Sequence, residues 1–324
     1  MAEVAYTLAV RWRNRRYDRD KARVHRVAVP VISVGNITMG GTGKTPMVEW
    51  IARWYRQRGI RVAIVSRGYG AEAGILNDEA RELEQRLPDV PHVQDPDRVA
   101  GAELAIEEFG SELIVLDDGF QHRRIARDLD LVMVDAQEPF GFGHVCPRGM
   151  LREPLEGLGR AQVIVLSRAD AVDADQRERI RHEVLRYAPK AVWAEVAHAP
   201  RALVDFQGRQ EPLALYAGKP VAAFCGVGNP SGFRHTLEIS AYRVIAFREY
   251  ADHYAYARAD VDALAAWADA LEIDAVLCTH KDLVKLGIDR LGRRPLRAVT
   301  VGLEFIVGLP EVEAALARHL PELA

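Results

Sequence analysis

The chain has 324 residues, 49% apolar and 27% charged, with 25 Gly and 16 Pro, which excludes disorder, fibres and collagen-like repeats and is long enough for two hydrophobic cores. Forty-three basic residues against 46 acidic ones leave a net charge of −3, so overall charge gives no reason to expect nucleic acid as a partner. The three cysteines, Cys146, Cys225 and Cys278, lie far apart with no CxxC spacing, which argues against a disulfide framework or a zinc knuckle and fits a reducing compartment.

The first 26 residues differ from the rest. Arg11, Arg13, Arg15, Arg16, Arg19, Lys21, Arg23 and Arg26 face only Glu3, Asp18 and Asp20, a local net charge of +5. Ahead of them runs a short apolar stretch, Val4 to Val10 with Trp12 next, helical in composition but too short to cross a bilayer and without the order of a secretory signal. Two readings stand open. The segment lies on an anionic membrane, where about 1 kcal/mol per cationic side chain supports reversible attachment, or it is a solvated basic helix packed on the domain by Tyr6, Leu8 and Trp12. No apolar run is long enough to span a membrane, and the chain is expected in the cytoplasm.

From Val27 onward short β-branched runs alternate with helical stretches. The expected strands are Val27 to Val34, Val62 to Ser66, Leu113 to Leu116, Leu131 to Asp135 and Gln162 to Ser167, with a helix from Pro46 to Gly59 punctuated by its proline and glycine. Strands that are apolar throughout belong in a parallel sheet covered by helices on both faces. A helix from Asp173 to Tyr187 follows, then extended pieces broken by Pro200, Gly208 and Pro212. A second, smaller α/β unit begins near residue 220, with strands Val221 to Cys225, Arg243 to Phe247 and Ala275 to Cys278 and helices Ser231 to Ile239 and Arg258 to Ala270. The expected organisation is therefore a docking segment over 1–26, a P-loop domain over 27–189, a linker or hairpin over 190–219 and a smaller α/β domain over 220–324.

The strongest chemical signal is Thr38-Met39-Gly40-Gly41-Thr42-Gly43-Lys44-Thr45, after an expected strand and opening an expected helix. Glycines let backbone N–H groups close on phosphate oxygens, the helix N-terminus adds positive potential, Lys44 reaches the β and γ phosphates, and Thr45 offers a hydroxyl to Mg²⁺. Thr38 stands where the usual first glycine would be. Asp117 and Asp118 end the buried run Leu113 to Leu116 and read as the acidic pair on the metal side, although a single acid there commonly caps the next helix. His122 lies nearby as a neighbour of the pair.

A kinase also needs a base for the acceptor hydroxyl. Asp78, in Asn77-Asp78-Glu79, and His253, in Ala251-Asp252-His253-Tyr254, are the candidates; residue type alone reads Asp78 equally as a helix cap and His253 as an ordinary surface imidazole. A membrane-partitioning ATPase switch is the main alternative, but that class carries a lysine near the start of its loop, where this chain has Met39. A non-catalytic nucleotide-binding scaffold is the other.

The order of Gly35-Asn36, the phosphate loop, Ser66-Arg67-Gly68-Tyr69-Gly70, Asp117-Asp118-Gly119-Phe120-Gln121-His122, Leu151-Arg152-Glu153-Pro154, Asp252-His253 and Lys281-Asp282 resembles the tetraacyldisaccharide 4′-kinases of lipid A biosynthesis over most of the chain. The resemblance implies an α/β, P-loop NTPase-like fold with a smaller C-terminal α/β domain. It implies transfer of the ATP γ-phosphate, with Mg²⁺, to the 4′-hydroxyl of an acylated glucosamine disaccharide 1-phosphate at the inner face of the cytoplasmic membrane, with no obligate protein partner. It assigns Asp78 as the catalytic carboxylate and His253 as its imidazole partner, Lys44 and Thr45 to the phosphate loop, and Asp117 and Asp118 to the metal side. A lipid acceptor that stays in the bilayer makes the N-terminal segment a docking element. The chain departs from the family pattern at Asn77, at Gly141-Phe142-Gly143, at Cys146-Pro147-Arg148-Gly149-Met150, at His280 and in a short stretch from Gly70 to Asp78; acyl-chain or sugar preference is where these departures would act.

Overall fold

The computed structural model describes residues 2–19, 21–68, 83–84, 86–252 and 254–321. They fall into two compact units, the first drawn from 1–76, 86–197 and 303–324 and the second from 77–85 and 198–302. Compared with the boundaries expected from sequence, residues 303–321 join the first unit and 198–219 the second.

Helix α1, Ala2–Asp18, has Glu3 in its first turn and Arg15 and Arg16 in its last, charges that complement the helix dipole. Its packed face is polar. Glu3, Tyr6, Arg11, Asn14 and Asp18 make side-chain hydrogen bonds or ion pairs with the rest of the protein, and Val10 is its one buried residue. Leu8 and Trp12, which a packed basic helix would bury, are 61% and 62% exposed, while the Tyr6 hydroxyl donates to the Arg152 carbonyl at 3.2 Å.

The sheet of the first unit contains β1, Val31–Asn36; β2, Val62–Ser66; β3, His92–Gln94; β4, Leu113–Asp117; β5, Leu129–Asp135; β6, Val163–Ser167; and the first half of β7, Val192–Val204. Their order is β7-β6-β5-β1-β4-β2-β3, with every neighbouring pair parallel. β1 begins later than the sequence pattern suggests, because Pro30 has no N–H for a ladder and the Asp128 carboxylate accepts the Val31 N–H at 2.9 Å. All six residues of β1 are buried, and separate apolar clusters cover the two faces of the sheet, as expected for strands buried on both sides.

Helix α2, Lys44–Arg56, buries Met47, Val48, Ile51, Ala52 and Tyr55. It starts two residues ahead of Pro46, whose missing N–H falls in the first turn, where no intrahelical partner exists to be lost. Helix α3, Arg98–Phe109, starts at Asp97, whose carboxylate accepts the Val99 N–H, and ends at Gly110 with φ 59°. It is absent from the sequence reading because its packed residues are small: a Cβ on Gly101 would stand 3.0 Å from Val65 Cγ1. Helix α4, Ala174–Tyr187, matches expectation and is capped by Asp173.

The second unit carries β8, Gln210–Glu211; β9, Pro220–Cys225; α5, Pro230–Ile239; β10, Arg243–Glu249; α6, Arg258–Asp269; β11, Ala275–Thr279; α7, His280–Leu286; β12, Arg290–Leu291; and most of β13, Arg294–Val307. Strands β10, β9, β11 and β13 are parallel neighbours, so this unit too is α/β. Asp282 is fully buried and accepts from the Gly226 N–H, the Tyr256 hydroxyl and the Thr279 hydroxyl, tying the turn after β9 to the start of α7. The end of β13 and helix α8, Leu309–Ala317, belong to the first unit, where Phe305 stacks on Trp50 at 4.8 Å and the Tyr55 hydroxyl donates to the Leu316 carbonyl at 2.8 Å. Among the described residues no helix is long and apolar enough to cross a membrane.

Candidate active site

In an open parallel sheet, ligands bind beyond the carboxyl ends of the strands, where the chain order reverses direction. Here that place lies beside β1, flanked by β5 and β4. The loop leaving β1 is Ile37 to Gly43. Thr38 and Thr42 are buried, Met39, Gly40 and Gly41 are exposed, and Gly40 and Gly43 take φ of 105° and 80°, backbone that a side chain would strain. Asn36 Nδ2 donates to Thr42 Oγ1 at 2.9 Å. The first part of the loop is clamped from outside: the Met39 N–H donates to the Met150 carbonyl and the Arg152 N–H to the Ile37 carbonyl, both at 2.7 Å. Lys44 and Thr45 are the first two residues of α2, so backbone N–H groups, helix dipole and ammonium converge on one spot, a ready anion site.

Asp117 ends β4 in register with Val34 of β1, which sets the acidic pair beside the strand that feeds the loop. This approach requires glycine. A Cβ on Gly35 would come within 2.5 Å of Phe120 Cβ and 2.9 Å of its backbone N, and one on Gly119 within 2.8 Å of Ser33 Oγ. Asp118 turns off the strand with φ 54°, a left-handed conformation that Asp tolerates better than most residues. Arg152 Nη1 donates to both Asp118 oxygens, at 2.8 and 2.7 Å, and Lys44 Nζ stands 3.7 Å from Oδ1. Burial pushes the Asp118 carboxyl upward, but Lys44, then Arg152 and Arg98, outweigh it and hold the group below the usual carboxylate range. It is ionised at neutral pH. Burial also pushes His122 down to about 4, with the Arg98 charge second, so its imidazole is neutral there.

Behind this cluster, Gln121 Nε2 donates to the Asn36 carbonyl at 2.8 Å and to Glu153 at 3.0 Å. Glu153 is fully buried and held ionised against the effect of burial by Arg160, Gln121 and Asn14. Arg160 stacks over Phe120 at 4.2 Å. Helix α1 thus reaches the loop through Asn14 and Glu153, and again through Tyr6 and Arg152.

The hard oxygens of Thr45, Asp117 and Asp118 suit Mg²⁺, which takes one or two carboxylates and fills its other positions with phosphate and water. Among the described residues no three His, Cys, Asp or Glu side chains gather into a site that would hold a metal by itself. Arg152 donates to both Asp118 oxygens, so a metal at Asp118 would compete with that contact. A surface cavity of about 540 Å³ lies at the other end of the strands, lined by Pro30, Arg61, Ser111 and Glu112, and is not part of this site.

The structure brings together Thr38 to Thr45, Asp117 and Asp118. Asp78 and His253 lie outside the described residues; the neighbouring Asp252 is exposed, and its carboxylate would stand 2.9 Å from a Cβ on Gly228. Sequence reasoning gave Arg152 and Glu153 no role beyond a motif and passed over Arg98 and Arg168. The signal available for Arg168 was the one that found Asp117, a polar residue immediately after a wholly buried strand.

Residues 1–321 match the family described as tetraacyldisaccharide-1-P 4′-kinase. A tetraacyldisaccharide 4′-kinase of Anaeromyxobacter sp. (strain K) is 39% identical over 339 residues, covering 99% of this chain and 89% of the relative. One from Chlorobaculum parvum is 37% identical, covering 98% and 93%. Among solved structures, the "apo" form of LpxK from Aquifex aeolicus in complex with ATP superposes with a TM-score of 0.77 at 28% identity, covering 98% of this chain and 97% of that one.

Proposed function

The chain belongs to the tetraacyldisaccharide-1-P 4′-kinase family and is a kinase of lipid A biosynthesis, and we propose that the loop from Thr38 to Thr45 is where it moves the γ-phosphoryl group of ATP to the 4′-hydroxyl of a tetraacylated glucosamine disaccharide 1-phosphate. The observation that carries this reading is the convergence of Lys44, at the head of α2, and Arg152 on Asp118 at the mouth of a glycine-rich loop.

Phosphoryl transfer needs positioning and charge neutralisation more than covalent chemistry. Backbone N–H groups of Gly40 to Lys44 cradle the phosphates, and Lys44 draws charge from the β–γ end. Thr45, Asp117 and Asp118 would hold Mg²⁺, which would shield the phosphate oxygens, and Arg152 would turn from Asp118 to phosphate. Arg152 is thereby a second cation within reach of the transferred group. Asp78, assisted by His253, takes the proton of the acceptor hydroxyl. Family membership leaves the switch ATPase without support.

The docking element in this reading is α1. Its outward face carries Val4, Leu8 and Trp12, which are 60%, 61% and 62% exposed, while its inward contacts are mostly polar, the reverse of a helix folded against a core. Arginines follow along the same outward side, suited to an anionic leaflet at the inner face of the cytoplasmic membrane. The decisive assay follows γ-phosphate label from ATP and Mg²⁺ onto the lipid disaccharide. Transfer that needs both lipid and Lys44 supports the assignment, and ATP hydrolysis indifferent to lipid would overturn it.

A further inference from the structure

We propose that Arg168, locked by Asp135, is a positioning residue that sets the phosphate loop for nucleotide binding. The inference rests on the reading that this loop holds the nucleotide phosphates, and it concerns a residue to which no motif assigns a role.

Asp135 is the last residue of β5 and pairs in register with Ser167, the last residue of β6, so Arg168 leaves the sheet directly beside the Asp135 carboxylate. Arg168 Nε donates to Asp135 Oδ1 at 2.9 Å and Nη2 donates to Oδ2, and both side chains are only 14% exposed. A two-point grip of this kind fixes the guanidinium plane as well as its position. Arg168 adopts φ 53° to make it, a conformation that costs a non-glycine residue about 1–3 kcal/mol and persists where surrounding contacts over-determine it.

The same Nη2 donates to the carbonyl oxygen of Gly41 at 2.9 Å, across 127 residues of chain. Gly41 sits in the middle of the loop, and a Cβ there would meet nothing within 4 Å. The Gly41 carbonyl and the Thr42 N–H belong to one planar trans peptide and point in opposite directions. By holding the carbonyl outward, Arg168 aims the Thr42 N–H to the opposite side, where a phosphate oxygen is received. Asn36 fixes the Thr42 side chain from the buried side. A glycine peptide of the cradle is thus oriented before nucleotide arrives, and preorganisation of this kind appears in affinity.

The test measures ATP and ADP affinity of the full chain by calorimetry, with kcat and KM for ATP and for the lipid acceptor, in Arg168→Ala, Arg168→Lys, Asp135→Asn and the Arg168→Ala/Asp135→Asn pair. Losing a charge-assisted hydrogen bond is expected to weaken ATP and ADP binding and raise the ATP KM by roughly 10-fold or more, with the lipid KM unchanged. Lysine, which cannot span Gly41 and both Asp135 oxygens, should not restore affinity. Asp135→Asn should cause a smaller loss that is not additive with Arg168→Ala. Should Arg168→Ala fail to fold, Arg168→Lys and Asp135→Asn carry the same measurement. Wild-type ATP affinity in a folded Arg168 variant, or additive effects of the pair, would overturn the inference. Lys44→Ala separates it from the reading beneath: lost binding there with none lost at Arg168 removes only this proposal, whereas unchanged binding in both removes the loop as the nucleotide site.

Discussion

Arg152 grips Asp118 with one nitrogen on two carboxylate oxygens, at 2.8 and 2.7 Å, and its own backbone N–H holds the Ile37 carbonyl at the entrance of the phosphate loop. One residue therefore touches the strand end, the loop and the acid of the site. Replacing Arg152 by Ala removes the contact to Asp118 while the backbone clamp stays. The expected result is a fall in kcat of roughly 10- to 100-fold, the worth of a charge-assisted interaction, with Lys restoring only part of it because a point charge cannot copy a planar guanidinium. Steady-state kinetics with ATP and lipid acceptor check it, and an Arg152→Ala enzyme of unchanged kcat would remove Arg152 from the site.

Gly35→Ala tests why β1 and the turn after β4 can approach at all. The added methyl would stand 2.9 Å from the Phe120 backbone N and 2.5 Å from its Cβ, atoms that cannot rotate aside. Overpacking of this kind costs roughly 1–3 kcal/mol or more. Urea unfolding should show a lower midpoint with an unchanged slope, and kcat should fall because Asp117 and Asp118 are displaced. Gly41→Ala, which meets nothing within 4 Å, is the matched control for space. A midpoint as high in Gly35→Ala as in that control would contradict the packing argument.

The glycine-rich loop, the strand leading into it and the acidic pair beside it were legible in the sequence because each is a local pattern: an apolar run, glycines at fixed spacing, acids at a strand end. Arg168 carried only the sign of a polar residue after a buried strand, and the roles of Arg152 and Arg168 rest on contact across 34 and 127 residues, which no local pattern shows. Helix α3 was hidden for a different reason. Close packing on β2 selects Gly101, Ala102 and Ala105, and small residues weaken the apolar periodicity that reveals a helix. The C-terminal helix α8 is plain enough locally, but its place in the first unit depends on Tyr55 and Leu316, 261 residues apart.

The neutral His122 gives a pH signature. Its pKa is about 4 in the folded protein and roughly 6.5 in an unfolded chain. Between these values the unfolded state binds a proton that the folded state does not, so stability rises with pH across the window and is lost as acid approaches pH 4. The ring is only partly buried, which trims the full linkage to about 1–2 kcal/mol. Asp118 and Glu153, held below the usual carboxylate range, keep their contributions down to about pH 5 and lose them progressively below it. His122→Gln should therefore flatten the fall in Tm between pH 6.5 and 4. Parallel curves for the two proteins would show that the imidazole is not the group responsible.

Helix α1 supplies the remaining prediction, because its outward apolar row and its inward contacts make opposite demands. Burying Val4, Leu8 and Trp12 in a leaflet offers roughly 1.5–3 kcal/mol for each side chain, and each neighbouring arginine adds about 1 kcal/mol against an anionic surface. Trp12→Glu subtracts an apolar anchor and opposes the leaflet's charge, yet leaves the Tyr6 and Asn14 contacts untouched. Binding to vesicles of phosphatidylglycerol and phosphatidylethanolamine should drop by roughly 100-fold in this variant, while wild-type binding should weaken as salt shortens the Debye length from about 10 Å at 0.1 M to about 3 Å at 1 M. Activity on lipid acceptor presented in vesicles should fall with binding, and activity on acceptor dispersed in neutral detergent should persist, since the phosphate loop is unchanged. Equal vesicle sedimentation of variant and wild type would show that α1 is not the docking element. Equal loss of activity in vesicles and in detergent would instead show that the helix acts on the site through Arg152 and Glu153 rather than through the bilayer.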